Sequence, residues 1–255
     1  MNETIKTQLN HRSIRQFKPL ALTQEEVDLL VDVARHTATS NFRQSYSIIS
    51  ITDQKLKEEI AEIANQPYIP NAGHLFVFVV DQRRNTLIAE AKGAEALVQG
   101  SPERFISSFS DAMIAAQNVV VAAESLCMGT VYLCMGTVYL GSILNDNAKL
   151  SELLKLPKYV YPAVGLAVGW PDQEPQLKPR LPRHVIHMEN YYQDLEKPLE
   201  ELKDYDAEVH EYYDLRDLNN RVDEFTSQIA KTMDKSVANR ANTLKDLQEQ
   251  GFFTD

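Results

Sequence analysis

The sequence predicts an α+β protein, and three observations lead there. Strand-like and helix-like stretches are mixed along the 255 residues without the strict alternation of a parallel sheet. Neither G-x-G-x-x-G nor G-K-[ST] occurs, and there are nine glycines in all, so neither a Rossmann site nor a P-loop is supported. Finally, Ala112–Ala123 is apolar on nearly every face, which requires a central helix covered by sheet, by a partner subunit or by both.

Taken in order, the first clear helix opens on the capping box Thr23-x-x-Glu26, carries Val27, Leu30, Val31 and Ala34 at helical spacing, and ends near His36. Residues 37–44 are polar and loop-like. Tyr46–Ile51 alternates, holds three isoleucines and reads as a strand. Asp53 caps a helix whose buried stripe is Leu56, Ile60 and Ile63. Leu75–Val80 is an apolar run of strand length, of the kind buried on both faces. Pro102 starts a helix that runs to about Leu126. Val138–Leu140 and Val160–Val168 read as further strands, with a short helix from Asp146 to Leu154 between them. Gly165 and Gly169 imply close packing or a bulge. Beyond Pro182 the chain turns polar, charged and helical, with few positions for a second core. The domain reading is therefore a core over 1–182 and an arm over 183–255.

Composition excludes several function classes. A net charge of −10 and a pI near 5.1 oppose nucleic acid or an anionic membrane as a main partner, because the general field repels phosphate. The N-terminus lacks the pattern of a signal peptide, and the longest apolar stretch, Ala112–Leu126, is interrupted by Gln117 and Asn118. These features point to a cytoplasmic protein. Both cysteines, Cys127 and Cys134, lie in a repeated heptad, so no disulfide framework is expected. No histidine has metal-ligand spacing, which leaves no metal site.

Against that acidic background two basic stretches stand out. His11-Arg12-Ser13-Ile14-Arg15 puts two guanidiniums and a hydroxyl within five residues, and Gln176–Pro182 carries Lys178 and Arg180. Forked guanidinium donors suit an oxyanion, so the pair suggests one anionic ligand held from two sides. The alternative is an exposed basic stretch that pairs with neighbouring carboxylates.

His11–Phe17, Thr39–Gln44, Ala122–Leu126, Val138–Ser142, Gly169-Trp170-Pro171, Leu177–Pro182 and Tyr212–Arg221, in this order and spacing, resemble the NADPH-dependent flavin reductases and oxygen-insensitive nitroreductases of the nitroreductase A type. The resemblance spans nearly the whole chain. It implies the nitroreductase-like fold: a central, mostly antiparallel sheet flanked by helices, in a homodimer whose extended helical C-terminal arms embrace the other subunit. It also implies FMN as cofactor, NADPH as electron donor, and a nitroaromatic, quinone or free flavin as small-molecule acceptor. Alternatives are a flavin-binding protein with little turnover, or a reductase that supplies reduced FMN to a partner.

Residue by residue, the resemblance sets His11, Arg12, Ser13, Lys178 and Arg180 at the FMN phosphate and Arg15 at the pyrimidine edge of the ring. Charge develops at that edge when the flavin accepts hydride. Thr39, Ser40 and Asn41 match a polar run that contacts ribityl or ring atoms, with Thr39 and Asn41 standing where serines are more usual. Gln66 falls where an amide meets the ring. Gly141 and Ser142 match a turn that passes close to the flavin, and a plain strand-ending turn is the alternative. Arg216, with Lys231 second, is the candidate for the 2′-phosphate of NADPH. No side chain is required as a nucleophile, because the flavin carries the chemistry.

One feature departs from the family. Leu126–Tyr132, LCMGTVY, is repeated without change as Leu133–Tyr139, where the family has room for one copy. Seven extra residues in a strand would turn later side chains to the wrong face, so a loop or bulge is expected to absorb one copy and restore register at Val138.

Overall fold

The computed structural model describes residues 1–128, 133–216, 224–233 and 238–254, with the backbone alone described at 128, 133, 214–216 and 238. The chain divides into two units, residues 1–175 together with 237–255, and residues 176–236.

The first unit opens with α1 (Glu3–Leu9), capped by the Asn2 side chain, which sequence reasoning passed over. α2 (Gln24–Arg35) has the expected capping box: Thr23 Oγ1 accepts from Glu26 N–H, and the Glu26 carboxylate accepts from Thr23 N–H. β1 (Tyr46–Ile51) follows, then α3 (Gln54–Ala64) on its Asp53 cap. β2 (His74–Asp81) leads into α4 (Arg83–Ala91), the second helix absent from the sequence reading. α5 runs Pro102–Ser125. The short strands β3 (Cys127–Met128) and β4 (Leu133–Cys134) come next, then β5 (Gly136–Leu140), a 3-10 turn over Gly141–Asp146, α6 (Asn147–Leu153) and β6 (Val160–Gly169).

Four strands form an antiparallel sheet in the order β1-β2-β6-β5. The two central strands are buried along their full length, which is why their sequences are continuous apolar runs rather than alternating ones. Alternation still sorts their side chains between the faces. Phe76, Phe78, Leu166 and Val168 pack against α2 and α5, while Leu75, Val77, Val79 and Ala167 pack against α3, α6 and the 3-10 turn. Gly165 is hemmed in by Leu140 and Ile143, and a Cβ on Gly169 would lie 2.8 Å from Gly73 N. Close packing is therefore the reason for both glycines, and the bulge falls elsewhere, between Phe78 and Val79.

By length and composition α5 could cross a bilayer, contrary to the expectation that no apolar run comes near it. Its apolar character has a core explanation: Ala112, Ala115, Ala116, Val119, Val120 and Ala123 are buried in the cluster that covers the sheet. The last helix of the chain, α11 (Thr243–Glu249), belongs to this unit. Leu247 and Phe252 pack with Val80, Tyr161, Phe105 and Phe109, Gln250 O accepts from Tyr159 N–H, and Phe253 N–H donates to Gly100 O.

The second unit holds α7 (Arg183–Ile186), α8 (Pro198–Glu201), α9 (Lys203–Arg216) and α10 (Phe225–Thr232). It has a small core of its own, Leu202, Tyr205 and Val209 with Leu181, Val185 and Phe225 around them. Asp206 caps α10 by accepting from Thr226 N–H and Oγ1 at 2.9 and 2.6 Å. Expected core positions were too few here because the apolar residues are spread over several short helices.

At the heptad repeat, residues 129–132 lie outside the described residues. Cys127 and Met128 of the first copy pair as β3 with Cys134 and Leu133 of the second copy as β4. Met135 N–H then donates to Leu126 O at 3.0 Å, so the excursion begins and ends at one place. Register in the main sheet is restored at Gly136, two residues before the predicted strand start. The cysteine expectation is overturned: Cys127 and Cys134 are joined in a disulfide. Their spacing of seven hid a hairpin that makes them cross-strand neighbours.

Candidate functional site

His11–Phe17 is laid beside the edge strand β5. Ser13 forms a parallel bridge with Thr137, Ile14 N–H donates to Thr137 O at 2.9 Å, and Phe17 bridges Pro171. Ile14 and Phe17 are buried, so the intervening polar residues are presented at known positions rather than dangling. Glu124, the penultimate residue of α5, ties the segment down. Its Oε1 lies 2.7 Å from His11 Nδ1 and accepts from Thr137 Oγ1 at 2.6 Å. Helix, strand and basic segment thus meet on one carboxylate. Arg12 approaches Glu174 at 3.7 Å, a pair of little energetic weight with Glu174 so exposed. Its Nε is buried without a partner among the described residues. An unsatisfied buried guanidinium N–H is costly, and a bound acceptor would relieve it. The cleft next to this segment has a volume of about 530 Å³, in the range of small-molecule sites, and is lined by Arg12, Ile14, Glu124, Met135, Gly136 and Glu174 among others.

Arg15 is exposed and reaches Tyr68. Burial pushes the Tyr68 hydroxyl above its ordinary pKa, while the charge and hydrogen bond of Arg15 pull it down. This contact brings the segment after α3 to the basic stretch. Asn65 is left-handed (φ 50°), and Gln66 N–H returns to Ala61 O at 3.0 Å, the six-to-one bond of a helix-terminating motif. Gln66 therefore has a fixed backbone two residues from the partner of Arg15. Behind it lie two buried basic groups. Lys57 donates to Ala72 O at 3.2 Å, and burial lowers its pKa. His74 is lowered to about 4 by burial first and by Lys57 second.

The Thr39–Asn41 run belongs to a different part of the unit. Ser40 N–H and Oγ both donate to Asp111 Oδ1, at 2.8 and 2.9 Å, which pins the loop to the middle of α5. Asn41, Phe42 and Gln44 all have positive φ, between 51° and 57°. Three such residues in four are strained and persist only where the surroundings impose them. Phe42 is held 84% exposed at the tip.

Gly141 and Ser142 begin the 3-10 turn that leaves β5, four residues or roughly 13 Å along the strand from Thr137. A Cβ on Gly141 would meet nothing within 4 Å, and its carbonyl accepts from Arg240 at 2.7 Å. In the second unit Lys178 sits over the Tyr213 ring at 5.9 Å, and Arg180 donates to Lys178 O at 2.7 Å. Lys231 is exposed in the last turn of α10. Arg216 ends α9, and its side chain lies outside the described residues. The structure therefore brings together His11, Arg12 and Ser13 with β5 and its Gly141 end, and Arg15 with the Gln66 segment. Thr39–Asn41 is held apart from both on α5.

Models of two families match the chain: the nitroreductase family over residues 9–170 and the nitroreductase family C-terminal domain over 178–255. The chain belongs to the nitroreductase family. This nitroreductase is 39% identical over 245 residues to an NADPH-dependent oxidoreductase of Staphylococcus aureus, a match that covers 94% of each chain. Its fold is similar to that of the NfrA1 nitroreductase of Bacillus subtilis, with a TM-score of 0.90 and 38% identity over 99% of this chain and 100% of the other. An NADPH:FMN oxidoreductase of Vibrio harveyi, solved with NAD+, gives a TM-score of 0.86 and 32% identity over the whole of both chains. With such relatives this nitroreductase is an enzyme, and its antiparallel sheet flanked by helices is the nitroreductase fold.

Sequence reasoning missed Glu124, Thr137, Tyr68 and Asp111 in this nitroreductase. Glu124 was within reach, as an acid near the end of an otherwise apolar helix and inside a segment that carried the resemblance. Thr137 was masked by its duplicate, Thr130. Asp111 stands at the start of the apolar stretch of α5, and a buried acid there needs a partner.

Proposed function

We propose that this nitroreductase binds FMN and takes hydride from NADPH to reduce small acceptors, namely nitroaromatics, quinones or free flavins. The observation that carries the reading is the basic segment bound to β5, with a buried Arg12 Nε that lacks an acceptor among the described residues. That donor set fits a phosphate. Arg12 offers its guanidinium and Ser13 its hydroxyl. The Nδ1 of His11 is engaged with Glu124, which leaves Nε2 as the nitrogen a phosphate oxygen would meet.

When bound, FMN supplies the hydride chemistry at its ring. The side chains of this chain orient it and stabilise charge. Arg15 places a permanent positive charge beside Tyr68 and the Gln66 segment, where the ring's pyrimidine edge would lie. Gly141, with open space where a Cβ would be, lets backbone approach the ligand. Ser142 adds a hydroxyl next to it, and Thr39, Ser40 and Asn41 present polar groups on a pinned loop. Arg216 and Lys231 are assigned to the NADPH 2′-phosphate.

We place the FMN-binding core in residues 1–182 of a cytoplasmic homodimer and the stretch that embraces the partner within 183–255, whose last helix α11 returns to this chain's own core. The relatives, an NADPH-dependent oxidoreductase and an NADPH:FMN oxidoreductase, support the donor and the flavin. The test is an absorbance spectrum of the purified protein. A yellow protein whose flavin bands bleach on anaerobic addition of NADPH is expected. A colourless protein that FMN cannot reconstitute refutes the reading, and a yellow one that NADPH leaves unbleached refutes the turnover.

A further inference from the structure

Away from the basic segment, α6 lies beside α11, and four buried polar side chains gather there. Asn147 and Ser151 are one turn apart on α6 and so share a face. Asp246 comes from α11 and Tyr161 from β6. All four residues are more than nine-tenths buried. The Asn147 amide donates to the Asp246 carboxylate. Its Oδ1, the Ser151 Oγ and the Tyr161 hydroxyl nevertheless have no hydrogen-bond partner among the described residues. Three unpartnered oxygens beside one buried carboxylate are costly unless something binds them.

Ser151 and Asp246 also line one cavity of about 250 Å³, with Glu152, Lys155, Glu249 and Gln250 around it. Three carboxylates and one lysine make its field negative. Burial pushes the Asp246 carboxyl above its ordinary pKa. Glu249 and Asp146 push the same way, against Asn147 and Lys245. Burial first, and the charge of Asp246 second, raise the Tyr161 hydroxyl as well. A positive ion at Asp246 would relieve both.

We infer that Asp246, with Asn147 Oδ1, Ser151 Oγ and the Tyr161 hydroxyl, binds a monovalent hard cation, sodium or potassium, which fastens the C-terminal helix to the core. The donor set decides the class. Carboxylate, amide and hydroxyl oxygens suit a hard cation rather than a soft one, and the carboxylate repels an anion. One buried carboxylate matches one positive charge. Among the described residues no three acidic, histidine or cysteine side chains are grouped as metal ligands, so a divalent ion would lack counter-charge. The cavity is larger than a bare ion, and water fills the coordination positions that the four side chains leave open. The inference does not depend on the flavin reading, since its readouts are stability and ion binding.

The test compares Tm in sodium, potassium and tetramethylammonium chloride. Equal ionic strength holds screening constant, and tetramethylammonium, too large to be coordinated, is the reference. A cation at ten times its Kd multiplies the folding constant about 11-fold, which for a chain of this size raises Tm by about 3–6 °C. Sodium or potassium should give that rise, and the stronger of the two identifies the ion. Ser151→Ala should shrink the rise, and Asp246→Asn should abolish it. Should Asp246→Asn fail to fold, NMR of the sodium and potassium ions with the unsubstituted chain gives the answer. One of the two lines should broaden in the presence of protein, and less so with Ser151→Ala. The same Tm in all three salts would mean that Asp246 is neutralised by a proton instead. That result, a rise that survives Asp246→Asn, or ion lines that neither broaden nor respond to Ser151→Ala would each overturn the inference.

Discussion

Replacing Glu124 with glutamine removes one charge and almost no volume, and it tests the junction of α5, β5 and the basic segment. Glu124 Oε1 takes hydrogen bonds from His11 and from Thr137, the latter fully buried. Hydrogen bonds to a charged group are worth about 1.5–3 kcal/mol and neutral ones about 0.5–1.5, so loss of the charge costs roughly 1 kcal/mol per bond. The His11 side chain is 28% exposed, and solvent screens part of its share. A net loss of about 1–2 kcal/mol remains. If it falls on the phosphate-binding geometry, FMN affinity drops roughly 5- to 30-fold. Fluorescence titration of the apoprotein with FMN and with riboflavin measures it, because riboflavin lacks the phosphate. The expected result is a weakened FMN complex and an unchanged riboflavin complex, with Glu124→Asp between the two. Equal weakening of both flavins would mean that Glu124 supports only the fold. Unchanged FMN binding would remove His11 from the phosphate.

His74 gives stability a pH dependence. Its folded pKa of about 4 lies below the unfolded value of 6.5, so its contribution is whole above pH 6.5 and is lost as pH falls from there toward 4. Between pH 7 and pH 5 the loss is about 2 kcal/mol. Urea midpoints at the two pH values should show it in the parent chain and show markedly less in His74→Gln; the same slope in both would contradict the assignment. Arg216→Ala should raise the KM for NADPH about 10-fold or more and leave that for NADH nearly level. Equal effects on the two nucleotides would make Arg216 structural. Deletion of Leu133–Tyr139 rejoins the chain where Met135 N–H already meets Leu126 O. Tm should hold or rise, and a sharp fall with loss of flavin would show that both copies are built into the core.

Much of the core was legible because its signals are local. The Thr23–Glu26 box, the Asp53 cap and the double-sided apolar run of β2 each follow from a few adjacent residues. α1 and α4 escaped because Glu3–Leu9 buries no residue and Arg83–Ala91 buries only Thr86, so neither carries a strong apolar stripe. The basic segment was visible as composition, but its anchors are long-range. Glu124 is 113 residues from His11, and Asp111 is 71 from Ser40. No periodicity reports such pairs. The disulfide was missed for a related reason, since a spacing of seven says nothing about a hairpin until the strand partners are known.

The C-terminal segment bears on how the protein is made. Phe252 and Leu247 complete a cluster with Val80, Tyr161 and Phe105, residues contributed far earlier in the chain. A ribosome therefore releases β2, α5 and β6 before the residues that cover this end of the sheet exist, and all of residues 176–236 must emerge in between. Until synthesis reaches Phe252, the nascent core carries an uncovered aromatic face, a surface that chaperones bind and that sticks to its own kind. Translation to the last helix is thus a step in folding, and a chain stopped at Met233 should be recovered mainly as aggregate.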